Sequence, residues 1–475
     1  MIPTKQRAAA IALLLTVFAG ACAGQDDGRK SSPAGTAEAG CRPEVLASQP
    51  TPVEVTMWAS FFDVGTTNTF SGLVDGFNAA QDKVRVKLKI FAPDDDMMRA
   101  YFRIPAGDPR LPDIMQMWPG PNRAAVDSGR VFAVQQCIDA SGTDLTDLLP
   151  QALAPTRIGE TQWGLPLGVF ADLLLYDKGA FARAGLDPER PPATLAELRS
   201  AASVLKASGT QHPIGDLFAE PFLHATRVPS SDNDDGHSGQ PTRAGFDSND
   251  ARAVLTWAKS MFDDGLASRP KPDGTWSDSL LAMARGESAM AIANSLRFKD
   301  LAKAIAQGQA PPGFRLGVAA VPTLSGPAAT LNSAGALFLS AASTAERRAG
   351  AWAFLNWFEE PHQQARWHVG GTFYPARRSA TTDPAVATLW SEQPLLAAGW
   401  APLSGPSWGV TALIGPAAEL GEEMSQAIRD AIGGQIAVEA ALARATERSD
   451  RILAEYNANP TAYIDCHLAK RGCRS

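Results

Sequence analysis

The sequence predicts an α/β protein of two globular units, with a parallel sheet flanked by helices at its start. Three observations carry this. VEVTMWA (Val53–Ala59) alternates as a buried strand, TFSGLVDGFNAAQ repeats apolar residues at helical spacing, and VRVKLKIF returns as a second strand. PDIMQMW (Pro112–Trp118) is a further buried strand, and strands linked by helices in this way favour a parallel sheet covered on its faces. At 475 residues and 45% hydrophobic, the chain is too long for one ordinary core.

A second unit begins after WGLPLGVFADLLLYDKGAFARAGL (Trp163–Leu186), where a Leu-rich strand runs into a helix ending near Gly185. ATLAELRSAASVLKAS follows with helical period. SAMAIAN (Ser288–Asn294) and FRLGVAAVP (Phe314–Pro322) read as strands, and SAGALFLS (Ser333–Ser340) as the final strand. TAERRAGAWAFLNWFEEPHQQARWH then reads as one long helix. Its Trp352, Phe354, Trp357 and Phe358 lie toward one side, the ordinary way to bury a helix, so they are assigned to the core.

The amino terminus carries a different message. Lys5 and Arg7 precede AAAIALLLTVFAGA, an apolar run too short to span a bilayer comfortably, followed at once by Cys22. This reads as a secretion signal over 1–21. The AGAC box resembles that of a bacterial lipoprotein, with Ala where Leu is commonest, and implies lipidation of Cys22; ordinary A-x-A cleavage leaving a free Cys22 thiol is the alternative. The region 22–49 is expected to be a tether, since AGQDDGRKSSPAGTAEAG is nearly devoid of apolar residues and cannot bury enough surface to order itself. Cys41, Cys137, Cys466 and Cys473 form an even set in an exported chain, which suggests two disulfides with three possible pairings. A short loop between Cys466 and Cys473 would leave Cys41 and Cys137 to pin the start of the body. No two of these cysteines have the C-x-x-C spacing usual in structural zinc sites. The net charge of -7 arises from interspersed acids and bases with no basic stripe, which argues against a nucleic-acid partner.

The order of the segments resembles extracellular solute-binding protein family 1, the maltose-binding-protein-like receptors of bacterial ABC importers. The stretches that carry it are VTMWA, PDIMQMW with SGRVFAV, YDKGAFARAGLDPERPPATLAELRSAA, GESAMAIANS, LGVAAVPTLSG and GGTFYPARRSA, spanning about residues 50 to 455. The resemblance implies a two-lobed periplasmic-binding-protein-like fold of type II, its lobes joined by hinge strands with the ligand cleft between them. Lobe 1 would comprise 50–165 and 323–365, and lobe 2 would comprise 166–322 and 366–475. It further implies a monomeric receptor that captures a small solute, most naturally an oligosaccharide or a polyol-containing compound, and delivers it to membrane permease subunits without performing chemistry. No cofactor is implied. A receptor of the same fold serving signalling is compatible with the same features.

Open α/β sheets bind ligands beyond the carboxyl ends of their strands. A carbohydrate presents flat apolar faces and a rim of hydroxyls, so its receptor needs aromatic plates and planar polar groups. Trp58, with Ser60, Phe61, Phe62 and Asp63 after it, and Trp118 end two predicted strands and are candidate plates and polar contacts; a strand-end Trp can equally cap the core. Phe170 and Asp172 lie where relatives place contacts in a crossing strand, and Asp172 is a charge in an apolar run that needs a partner. Asn294 and Ser295 end a predicted strand. Ser333 and Gly335 open another, where bare backbone could approach a ligand. Tyr374, in GGTFYPARRSA, belongs to a ligand-proximal loop in relatives but reads as mainly structural.

GPSWG (Gly405–Gly409) fits the G-x-S-x-G pattern of hydrolase nucleophile elbows and raises the reading of an exported serine hydrolase using Ser407. Against it, APLSGP is broken by Pro402 and Pro406 and reads as loop, and the only histidine after Ser407 is His467, in the cysteine-bearing tail. The loop is better read as presenting Trp408 to ligand. SDNDDGHSG (Ser231–Gly239) has Ser and Thr where a calcium loop needs Asp and Glu. His362 and His368 are not at H-E-x-x-H spacing, no metal site is expected, and no Walker A or G-x-G-x-x-G loop occurs.

Overall fold

The computed structural model describes residues 40–92, 94–270, 276–404, 407–409 and 411–469. The secretion signal, Cys22, most of the tether, Gly405, Pro406 and Cys473 lie outside the described residues.

Two six-stranded sheets organise the chain. The first is ordered β2 (Val84–Phe91), β1 (Val53–Ser60), β3 (Ile114–Met117), β13 (Ala336–Ser340) and β4 (Val131–Phe132), with β7 (Gly164–Pro166) also on β13. The β-α-β opening forms as expected: β1 runs parallel to β2 and β3, and the helix Val64–Ala80 connects β1 to β2. The sheet is nevertheless mixed, because β13 enters antiparallel to β3, β4 and β7. A small hairpin, β5 (Arg157–Ile158) and β6 (Thr161–Gln162), precedes β7.

The second sheet is ordered β10 (Leu316–Ala319), β8 (Val169–Asp177), β12 (Pro327–Ser333) and β11 (Val321–Pro322). To it are added β9 (Met290–Asn294), antiparallel to β8, and β14 (Ser407–Gly409), parallel to β12. Each sheet has its own core. Phe70, Leu73, Leu337, Trp352, Phe354, Phe358 and Trp367 pack around the first, and Leu174, Leu198, Phe222, Leu255 and Ile292 beside the second.

The chain crosses between the sheets from β7 to β8 and again from β12 to β13, each time within three residues. A third link passes through Tyr374, whose N–H donates to the Val169 carbonyl at 2.8 Å and whose carbonyl accepts from the Val169 N–H at 3.0 Å. The helix Val438–Ala458 makes a further one. Its Leu442, Ala445 and Leu453 join the core of the second sheet, while Tyr456 packs with Met115 and Tyr101 beside the first and donates its hydroxyl to Asp127 at 2.9 Å.

Several expectations are corrected. Residues 41–49 are not tether: Cys41 is bonded to Cys137, and the helix Glu44–Ala47 sets Leu46 into the first core. Cys466 is disulfide-bonded as well, and its partner lies outside the described residues. PAATLNS forms β12 in the second sheet, so the return to the first sheet falls between Ser333 and Ala336 rather than at 323, and SAGALFLS is not the final strand. The long helix after it is two, Ala345–Phe358 and Pro361–Gly370, because Pro361 has no N–H to continue the ladder and pushes Glu360 out to ψ 142. APLS, read as loop, completes the helix Pro394–Ser404, which admits Pro402 in its last turn.

Candidate ligand-binding site

The carboxyl ends of β1 and β3 bring two aromatics together. β1 ends at Ser60, whose N–H donates to Gln116 Oε1 at 3.0 Å and ties the loop to β3. Asp63 then caps the helix Val64–Ala80 by accepting from the Thr66 N–H at 2.7 Å. Between these two anchors, Phe61 turns inward against Phe70 and Trp367, and Phe62 turns outward, 55% exposed. Phe62 stacks on Trp118 with ring centroids 4.8 Å apart and planes at 26°, and buried Phe373 meets both rings from below at 6.1 and 6.0 Å. An exposed aromatic plate therefore sits on a braced base.

The second sheet supplies polar groups at the end nearest the crossings. β8 starts at Val169, β9 ends at Asn294 and β12 ends at Ser333. In register, Asp172 lies opposite Asn294 on β9 and opposite Thr330 on β12, and Thr330 lies opposite Trp408 on β14. Cross-strand partners project to the same face, so Asn294, Asp172 and Thr330 form one row. Asn332 stands opposite Phe170, on that same face two residues along, and its amide donates to Asp172 Oδ2 at 3.0 Å. Asp172 is 7% exposed, and burial raises its carboxyl to about 6, the Asn332 hydrogen bond opposing this. Asn294 Oδ1 and Thr330 Oγ1 are buried without a hydrogen-bond partner. Phe170 packs into the cluster that holds Trp118 and Phe373, and so links the polar row to the aromatic plate.

The remaining candidates fall elsewhere. Trp58 lies inside β1, two residues before its end, against Phe91 at 4.9 Å with the Lys89 ammonium 5.1 Å from its ring. Ser295 Oγ accepts from the Ala171 N–H at 3.1 Å and ties the end of β9 to β8. Ser333 Oγ accepts from the Gly335 N–H at 3.1 Å. Gly335 has φ +93, and a Cβ there would meet the Met117 carbonyl oxygen at 2.5 Å; its close approach is to β3. Tyr374 is buried and donates its hydroxyl to the Leu396 carbonyl at 2.7 Å. Ser407–Gly409 form a strand after a helix, and the next helix begins only at Ala417, so the strand–serine–helix order of a nucleophile elbow is absent. His467 stacks on Tyr463 at 4.0 Å, with Glu419 and Glu455 as its other neighbours. The acidic loop Asp232–Asp235 spends its carboxylates on its own backbone, Asp235 accepting from the Ser230 and Ser231 N–H groups and Asp232 from Thr242.

Phe373, Gln116, Thr330 and Asn332 complete this arrangement and were not singled out from the sequence. Two sheets joined by short crossings, with an exposed aromatic pair on one and a buried polar row on the other, can enclose a small molecule without any group placed for bond-breaking. A profile of the bacterial extracellular solute-binding protein family matches residues 72–398. The chain belongs to that family. The family is extracytoplasmic, and its fold is the two-lobed type II arrangement. A sn-glycerol-3-phosphate-binding periplasmic protein UgpB of Brucella abortus is 24% identical over 282 residues, 56% of this chain and 61% of the relative, so the match spans about three fifths of the relative's length. The cyclic alpha-maltosyl-1,6-maltose binding protein of Arthrobacter globiformis superposes with TM-score 0.68 at 24% identity, over 85% of this chain and 100% of the other. The sugar-binding protein MalE of Xanthomonas citri does so with TM-score 0.70 at 20% identity, over 86% and 98%.

Proposed function

We propose that this member of the family is a receptor that captures a small carbohydrate or polyol in the cleft between its lobes and delivers it to the permease of an ABC importer. The observation that carries this reading is the exposed Phe62–Trp118 plate on one sheet together with the Asn294–Asp172–Thr330 row on the other. A plate buries the apolar face of a sugar ring, and the row meets its hydroxyls. The protein acts as a monomer and performs no reaction, since no nucleophile, base or metal is invoked. Trp408, in register with the row, is the second lobe's aromatic contact. Lobe 1 comprises about 41–166 and 336–370, and lobe 2 comprises 169–333 and most of the remainder.

Such a cleft buries both faces of its ligand only when shut. A thermal-shift screen of sugars and polyols identifies a ligand through the stabilisation that specific binding confers, about 2.7 kcal/mol at a hundredfold excess over the dissociation constant. Small-angle scattering with that ligand is expected to show a smaller radius of gyration through hinge closure. An unchanged radius under saturating ligand would count against the reading.

Lipidation at Cys22 holds the receptor at the membrane in this proposal. Among the described residues no helix is long and apolar enough to cross a membrane. Cys22→Ala is expected to move the cleaved protein into the soluble fraction of lysed cells. Retention of the cleaved variant in washed membranes would assign the anchoring to something else.

A further inference from the structure

The row on the second sheet has a chemistry that narrows the ligand beyond the family. Asp172 offers a carboxylate, Asn294 an amide oxygen and Thr330 a hydroxyl oxygen, and the last two are buried with no donor supplied by the fold. Asp172 draws one donor, the Asn332 amide, and no lysine or arginine among the described residues forms an ion pair with it. A second acid stands at the foot of the aromatic plate: Asp63 Oδ2 is buried without a partner beside Phe62. The cation that senses Asp63 is Lys299, and its ammonium is committed to the carbonyls of Val369 and Gly371. The polar lining is thus rich in acceptors and poor in free positive charge. An anion brought here meets oxygen lone pairs and a buried carboxylate, where low dielectric strengthens repulsion. A hydroxyl supplies the donors that Asn294 and Thr330 lack.

We infer that the Asn294–Asp172–Thr330 row selects an uncharged polyhydroxy ligand and rejects its phosphorylated counterpart, so that this chain departs from the glycerol-phosphate specificity named for its curated relatives. This rests on the cleft being the solute site. Rejection works by leaving the anion without a partner, a more discriminating device than a small change in apolar fit.

The test uses the purified full-length protein and matched probes: glycerol with sn-glycerol 3-phosphate, glucose with glucose 6-phosphate, and maltotriose and ribitol as further neutral compounds. Dissociation constants are measured by calorimetry. At least one neutral probe is expected to bind, and the phosphorylated member of a pair to bind about 100-fold or more weakly than its neutral partner. Asp172→Asn keeps the shape and removes the charge, and is expected to shrink that discrimination at least about tenfold. Thr330→Val, a second variant, is expected to weaken the neutral probe while leaving the discrimination in place. Equal or tighter binding of a phosphorylated probe overturns this inference and leaves the receptor reading standing. Undiminished discrimination in a folded Asp172→Asn protein also overturns it. If none of the probes binds, both readings fall together.

Discussion

Replacing Cys41 and Cys137 together by alanine is expected to lower the unfolding free energy by about 2–4 kcal/mol. The bond joins residues 96 apart in sequence, so in the unfolded chain it closes a long loop and removes much of its freedom. The chain-entropy relation gives about 4.7 kcal/mol for a loop near this length, and incomplete disorder of the unfolded state lowers the observed value. Both sulfurs lie in the first core, with Cys137 on the helix Gln135–Ser141, so alanine avoids burying a hydroxyl. Urea unfolding of the oxidised parent and the variant measures the loss directly. The bond lies away from the Phe62–Trp118 plate, so affinity for a cleft ligand should hold within about twofold at temperatures where both proteins are folded. An unchanged urea midpoint would show that the first core alone fixes the amino-terminal segment.

Much of the fold was legible because its strands are apolar and its helices carry clear periodicity. β1, β2, β8 and β9 match their sequence patterns within a residue or two. β12 was not legible: PAATLNS begins with Pro and carries Thr, Asn and Ser, and it is a strand because β8, β11 and β14 supply its hydrogen-bond partners. The same tertiary cause hid Thr330 and Asn332, which lie on that strand. Adjacent Phe61 and Phe62 could not be told apart, since strand alternation stops at Ser60 and the Asp63 cap decides which ring turns outward. Asp172 was legible as a charge in an apolar run; its partner on β12 was not, because that pairing spans 160 residues. The return of the carboxyl-terminal helix to the first lobe was hidden for a related reason. Its apolar positions show that one face is buried and do not say that two cores share it.

Glu359 provides the second large effect. It follows the helix Ala345–Phe358 at the break before Pro361, where its N–H donates to the Leu355 carbonyl at 3.0 Å and its side chain is carried inward. The residue is 3% exposed, and neither carboxylate oxygen has a hydrogen-bond partner. Burial drives its carboxyl from an ordinary 4.5 up to about 8, against a smaller opposing pull from Arg377. In the unfolded chain the same group ionises near 4.5, so between the two values the folded state holds a proton that the unfolded state has released. Stability contributed by this group is therefore present below the unfolded value and lost as pH rises toward 8, by an amount on the order of 3–5 kcal/mol. His224 and His368, each pushed down to about 4 by burial, act in the opposite sense and cost stability as pH falls below 6.5. Comparing Glu359→Gln with the parent cancels those contributions, because both proteins keep the histidines. The variant is expected to hold its urea midpoint better than the parent from pH 5 to 8.5, and the difference between them to widen steadily across that window. Parallel profiles would mean that Glu359 reaches Arg377 or solvent in the folded protein and ionises there as an ordinary carboxylate.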